Sequence, residues 1–163
     1  MKNTPDISTY YGLLRRAHEI VRPERYLEIG VHEGHSLSFV LPGTRTIGVD
    51  PEPKVENPPD NTVIVPSTSD DFFADPELVG LLGGPIDLAL VDGLHLHEQT
   101  LRDVANVERH SHPGGVILIH DCLPIDKKTA ARERSTVVWS GDVWKVVVAL
   151  RRHRPDLTVT TVD

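Results

Sequence analysis

Five short apolar runs constrain this chain more than any other feature: RYLEIGV, TRTIGVD, NTVIVP, IDLALVD and GGVILIHD. Each is rich in Val, Ile and Leu, which predicts strands buried on both faces of a parallel sheet. Helical segments lie between several of them. From Thr9 to Val21, apolar Leu13, Leu14, Ala17, Ile20 and Val21 recur at helical spacing opposite Arg15, Arg16 and Glu19. Residues 98–110 gather Leu101, Val104, Ala105 and Val107 on one side, and residues 142–153 do the same with Val143, Val146, Val147 and Leu150. Alternating strands and helices predict a doubly wound α/β fold with a mostly parallel sheet. The final DLTVTTVD is a plausible sixth strand with nothing after it, so a further partner strand is not supplied. DPEPKVENPPD and PIDKKTAARERSTVVWSGD read as loops.

The 163 residues suit one domain, with an N-terminal helical segment over 1–23 and the α/β core over 24–163. Seventeen basic residues against 24 acidic ones give a net charge of −7, which argues against a nucleic-acid partner. No run has the length of a membrane span, and MKNTPDIST lacks the pattern of a secretory signal, so a cytoplasmic protein is expected. Cys122 is the only cysteine; an internal disulfide is excluded, and a metal site must draw on oxygen and nitrogen ligands.

In an open parallel sheet the ligand lies beyond the carboxyl ends of the strands. The residues found there are Glu28, Gly30 and Gly34 after the first run, Asp50 after the second, Asp92, Gly93 and His95 after the fourth, and His120 and Asp121 after the fifth. Asp50 stands twenty residues after Gly30, where a carboxylate can accept the hydroxyls of a ribose. The glycines are spaced G-x-x-x-G, with Val31 and His32 after the first, rather than G-x-G-x-x-G. A bulky residue in place of the second glycine restricts approach of a diphosphate. Amides around Gly34, His35 and Ser36 suit a carboxylate, and Glu28 suits an ammonium group. Ribose, carboxylate and ammonium together describe an adenosyl amino acid.

YLEIGVHEGHSL, IGVDPEP, IDLALVDGLHLHEQTLRDV, PGGVILIHDCLP and SGDVWK resemble, in order and over roughly residues 24–152, the class I S-adenosylmethionine-dependent methyltransferases. The resemblance is to the group containing the metal-dependent macrolide sugar O-methyltransferases. It implies a Rossmann-like fold, with S-adenosylmethionine bound by Glu28, Gly30, Gly34, Ser36 and Asp50, and with Ser67 and Asp71 of PSTSDDF near the adenine. The family's D-G-x-H stands here as Asp92-Gly93-Leu94-His95, which implies Asp92 as a ligand of Mg²⁺ or Mn²⁺ and His95 as the base. The family's acidic pair after the fifth strand is replaced by His120-Asp121. Asp92, His120 and Asp121 are therefore the expected metal ligands. Carboxylates at the ends of neighbouring strands about 4.8 Å apart reach one cation. Consecutive strand residues point to opposite faces, so His120 and Asp121 both face it only if the strand has already ended.

The function expected is methyl transfer to a hydroxylated small molecule such as a sugar, with the loop from Pro124 to Gly141 as a wall of the acceptor site, alone or with a neighbouring subunit of a homo-oligomer. The alternatives are an NAD-type oxidoreductase and a cofactor-binding relative without catalysis. Elsewhere, Trp144 is expected in the core with Asp142 as the N-cap of the last helix, and Trp139 either contacts substrate or packs. His97, His110, His112 and His153 are expected at the surface. Cys122 has no base motif beside it.

Overall fold

The computed structural model describes residues 10–162. In chain order it contains α1 (Tyr10–Val21), β1 (Arg25–Ile29), a one-turn 3-10 helix (His35–Phe39), β2 (Arg45–Asp50) and β3 (Thr62–Pro66). There follow α2 (Ser69–Ala74), α3 (Pro76–Gly80), β4 (Ile86–Val91), α4 (His97–Arg109), β5 (Ser111–Ile119) and α5 (Trp144–His153). The five strands form one sheet in the order β3-β2-β1-β4-β5, parallel throughout. This is the doubly wound α/β architecture that the alternating pattern predicts.

Side chains of alternate strand residues divide into two cores. Leu27, Ile29, Ile47, Val49, Ala89 and Val91 face the side covered by α2 to α5, where Phe72, Val104, Val107, Val146 and Leu150 meet them. Tyr26, Leu88 and Leu90 face the other side, where α1 and the 3-10 turn supply cover through Leu14 and Leu37, joined by the loop residues Val31 and Val55. Leu27 is completely buried. Truncating a leucine so placed to alanine costs about 2–5 kcal/mol.

Burial on both faces holds for β1, β2 and β4 but not for the edge strands, where Val63 of β3 and Val116 of β5 are exposed. β5 also starts earlier than the run GGVILIHD: Ser111 pairs with Ile86, and the register resumes only at Val116 opposite Leu88, with Pro113, Gly114 and Gly115 bulged out between.

Four expectations are corrected. Described residues of DLTVTTVD form no strand; Val159 instead packs against the core and accepts a hydrogen bond from Arg151. Trp144 is exposed, because it lies two residues from Val146 at the start of α5 and so falls off the stripe formed by Val146 and Leu150. Asp142 does not cap α5; its carboxylate accepts the main-chain N–H of His97, at the start of α4. Ile20 points to solvent, while the buried face of α1 holds Leu14 and, unexpectedly, His18.

Candidate active site

The chain runs outward from β1 through β2 to β3, then returns to place β4 on the other flank of β1. That reversal opens a crevice between the carboxyl ends of β1 and β4, the place where open α/β sheets bind ligands. Gly30 and Asp92 form its floor. Gly30 has φ +89° and donates its N–H to Val49, and Asp92 donates its own to Ile29. A β-carbon on Gly30 would stand 2.0 Å from the Asp92 carbonyl oxygen, so only glycine allows the two segments to touch.

After Gly30 the chain turns through two more left-handed residues, His32 (φ +47°) and Gly34 (φ +75°), before the 3-10 turn. Asp50, at the end of β2, holds this loop: Oδ2 accepts the His32 N–H at 2.9 Å and Oδ1 accepts the Glu52 N–H at 2.8 Å. Each of its oxygens keeps a further lone pair.

Glu28 is 1% exposed and sits under the loop. Tyr26 donates its hydroxyl to Oε2 at 2.7 Å, and the buried Ser36 hydroxyl donates to Oε1. Burial pushes the Glu28 carboxyl up to about 7, against the lowering effect of the Ser36 and Tyr26 hydroxyls. Ser67 and Asp71 lie past β3; Ser67 donates to the Thr68 carbonyl, while Asp71 pairs with the Thr68 side chain that caps α2.

The second group converges from two strands. His120 Nδ1 lies 3.0 Å from Asp92 Oδ1 and 3.5 Å from Asp121 Oδ2; His95 Nε2 lies 3.6 Å from Asp92 Oδ1 and its Nδ1 3.3 Å from Asp121 Oδ2. β5 ends at Ile119, and Asp121 adopts φ +57°, so strand alternation no longer applies and both His120 and Asp121 turn toward Asp92. Burial raises Asp92, but hydrogen bonds from His120 and His95 outweigh it and hold the carboxyl below its usual value. His95 is raised first by its bond to Asp92. His120 reaches about 10, because its bonds to Asp121 and Asp92 outweigh burial.

One side chain of acid and imidazole type from each of Asp92, His95 and Asp121 offers a ligand atom within 4.8 Å of the others. The two carboxylates, partly exposed, fit a divalent cation with oxygen ligands and open positions, and the His95 imidazole stands within reach of the same place. A second trio, His97, Glu98 and Asp142, also brings its ligand atoms within 4.8 Å of one another. It differs in already holding two cations, with Lys145 Nζ 2.8 Å and Arg132 3.4 Å from Asp142.

Tyr10 was not anticipated at this site. Its ring lies 4.1 Å from that of His120, and burial together with the charges of Asp92 and Glu28 holds its phenol well above the usual value. No local pattern signals a contact between the start of α1 and the end of β5. Trp139 stacks on His95, with centroids 5.3 Å apart.

Comparison with known proteins agrees with this architecture. The O-methyltransferase TomG from Streptomyces achromogenes, involved in tomaymycin synthesis and solved with S-adenosylmethionine, superimposes with a TM-score of 0.63 at 18% identity, covering 92% of this chain and 70% of its own. An O-methyltransferase from Bacillus cereus in complex with S-adenosylhomocysteine gives 0.65 at 13% identity, covering 93% and 74%. MycE, a methyltransferase of the mycinamycin biosynthetic pathway solved with Mg and S-adenosylhomocysteine, gives 0.53 at 18% identity, covering 85% of this chain but 39% of its own. No curated protein sequence matches this chain significantly. The family model described as a methyltransferase domain matches residues 27–122, from β1 through the residue after Asp121, and the chain belongs to that family with the Rossmann-like fold of class I methyltransferases.

Proposed function

We propose that the chain transfers a methyl group from S-adenosylmethionine to a hydroxyl oxygen of a small molecule such as a sugar, with the help of a divalent cation. The observation that carries this reading is the meeting of Asp92, His95 and Asp121 within 4.8 Å at the rim of the β1–β4 crevice. Asp92 and Asp121, with His120 beside them, would hold Mg²⁺ or Mn²⁺. Gly30, Gly34 and Asp50 shape the donor pocket, Glu28 and Ser36 brace it from below, and Ser67 and Asp71 border it beyond β3. When bound, the sulfonium supplies an activated methyl carbon and the cation supplies positive charge that makes a nearby hydroxyl easier to deprotonate.

The chain's own residues do the rest. Asp50 fixes the loop after β1 through two main-chain amides, so that the pocket is formed before a donor arrives. Asp92 raises the proton affinity of His95, the direction a proton acceptor requires. His95 then removes the hydroxyl proton while the adjoining carboxylates balance the imidazolium. A vicinal diol offers two oxygens to one cation, which is why a sugar suits the arrangement. The exposed Leu123, Ile125, Val137 and Val138 lie in and beside the loop from Pro124 to Gly141 and offer apolar surface to a larger acceptor.

Calorimetry with S-adenosylhomocysteine and with NAD tests the donor; binding of the first alone is expected, and tight NAD binding without it defeats the reading. Methyl transfer to a panel of sugar acceptors is expected to stop on addition of a chelator and in Asp92→Ala. Transfer that survives both removes the cation from the scheme.

A further inference from the structure

Residues 139–142, Trp-Ser-Gly-Asp, grip the loop between β4 and α4 at three successive points. The main-chain carbonyl of Trp139 lies 2.8 Å from His95 Nδ1, and the indole stacks on the imidazole with the planes 26° apart. Gly141, at φ +58°, approaches so closely that a β-carbon there would stand 1.9 Å from the His95 carbonyl oxygen. Asp142, 1% exposed, accepts the His97 N–H at 2.9 Å and His97 Nδ1 at 3.1 Å. His97 opens α4, and the residue before it, Leu96, supplies no capping side chain. Asp142 thus takes a free amide of α4 from outside the helix. Lys145 and Arg132 hold the Asp142 carboxylate in turn, which makes the second trio an ion-paired anchor for this segment.

The chemistry of the Trp139 contact has one direction. A carbonyl oxygen carries no proton, so a hydrogen bond of 2.8 Å requires Nδ1 to be the protonated nitrogen. Asp121 Oδ2, 3.3 Å from the same atom, is also an acceptor and reinforces the choice. Nε2 also meets an acceptor, Asp92 Oδ1, but at 3.6 Å; on a neutral ring, which keeps one proton, the 2.8 Å contact to Trp139 wins that proton for Nδ1 and leaves the lone pair on Nε2. We propose that the 139–142 segment is a positioning device that selects the Nδ1–H tautomer of His95 and presents Nε2 as its proton-accepting nitrogen. The catalytic half of this inference rests on the methyl-transfer reading; the tautomer does not. Gly141 and Asp142 act through His95 and are positioning residues, not catalytic ones.

Nitrogen NMR on histidine-labelled protein tests it, with the ring brought to its neutral form at alkaline pH and the His95 signals identified by their loss in His95→Gln. The native protein is expected to show Nδ1–H. Gly141→Ala, which forces the segment off His95, is expected to shift the ring toward Nε2–H. Gly43→Ala is the control: its φ is +90° but no atom of the described residues lies within 4 Å of the added methyl, so it carries the backbone strain without the collision. Asp142→Ala provides a second route, because it releases the anchor without a clash. In both variants kcat for methyl transfer is expected to fall by about tenfold or more, with KM for the donor unchanged. Native protein carrying the proton on Nε2, or unchanged Nδ1–H in both variants, overturns the proposal. A native protein that fails to bind S-adenosylhomocysteine sinks the functional reading alone, and the tautomer measurement decides the positioning claim in either case.

Discussion

Gly30 and Asp92 are in contact across the boundary between β1 and β4: the Asp92 carbonyl oxygen occupies the space that a side chain on residue 30 would need. The position of a metal-ligating carboxylate in the proposed site is thereby tied to the absence of a β-carbon on a neighbouring strand. Gly30→Ala must both adopt φ +89° and push β4 away. Left-handed strain of about 1–2 kcal/mol and overpacking of about 1–3 kcal/mol add at this position. Urea titration is expected to show a loss of several kcal/mol, whereas Gly43→Ala, with strain but open space, is expected to lose only about 1–2 kcal/mol.

Much of this geometry was legible in the sequence, for a physical reason. Strands buried on both faces need unbroken apolar runs, and turns at their ends need glycine or short polar residues, so the crevice and most of its rim could be listed by position. His120 and Asp121 can face the same site only if the strand has ended before them, and the φ of +57° at Asp121 meets that condition. What escaped were contacts between distant segments. Tyr10 reaches His120, and Asp142 reaches the His97 amide 45 residues away, where a cap for the adjacent α5 was expected. His18 escaped because a polar residue on an apolar stripe carries no sign of whether it will be covered.

His18 is fully buried, its edge set against Tyr26 with ring centroids 4.5 Å apart, and neither ring nitrogen has a hydrogen-bond partner among the described residues. Burial lowers its pKa to about 4, from 6.5. The unfolded chain therefore binds the extra proton first, so this group is neutral to stability above pH 6.5 and removes it as pH falls toward 4. The full effect is about 3 kcal/mol. His18→Phe is expected to gain stability relative to the native chain as pH falls from 6.5 to 4, measured by urea midpoints between pH 7 and 4. A difference between variant and native that does not change with pH would show that His18 is not the group responsible.

Glu28 acts in the opposite sense. Its carboxyl is raised by burial to about 7 in the folded chain, so the native state holds a proton that the unfolded chain releases near 4.5. Stability is full below pH 4.5 and declines as pH rises to 7, by about 3 kcal/mol in the protein without ligands. Glu28→Gln removes this ionisation. The variant is expected to gain relative stability with rising pH across that interval, and a native-like slope in the variant would contradict the assignment. Because the His18 and Glu28 windows overlap with opposite signs, the native profile is expected to be flatter than that of either variant.

Asp121 combines a charge with a backbone conformation, and the two are separable. Its φ of +57° is one that asparagine tolerates well and alanine poorly. Asp121→Asn is therefore expected to keep the turn after β5 and the native thermal midpoint while losing one of the two carboxylates of the proposed cation site. Asp121→Ala is expected to lose the same carboxylate and to lower the thermal midpoint, since it adds left-handed strain of about 1–2 kcal/mol. Mn²⁺ titration followed by electron paramagnetic resonance distinguishes the contributions: both variants are expected to bind the ion far more weakly than the native chain, and by similar factors. If Asp121→Asn binds Mn²⁺ as the native chain does, the ion is held without this carboxylate, and His120 or the bonds around Asp92 must explain why the chain bends at residue 121.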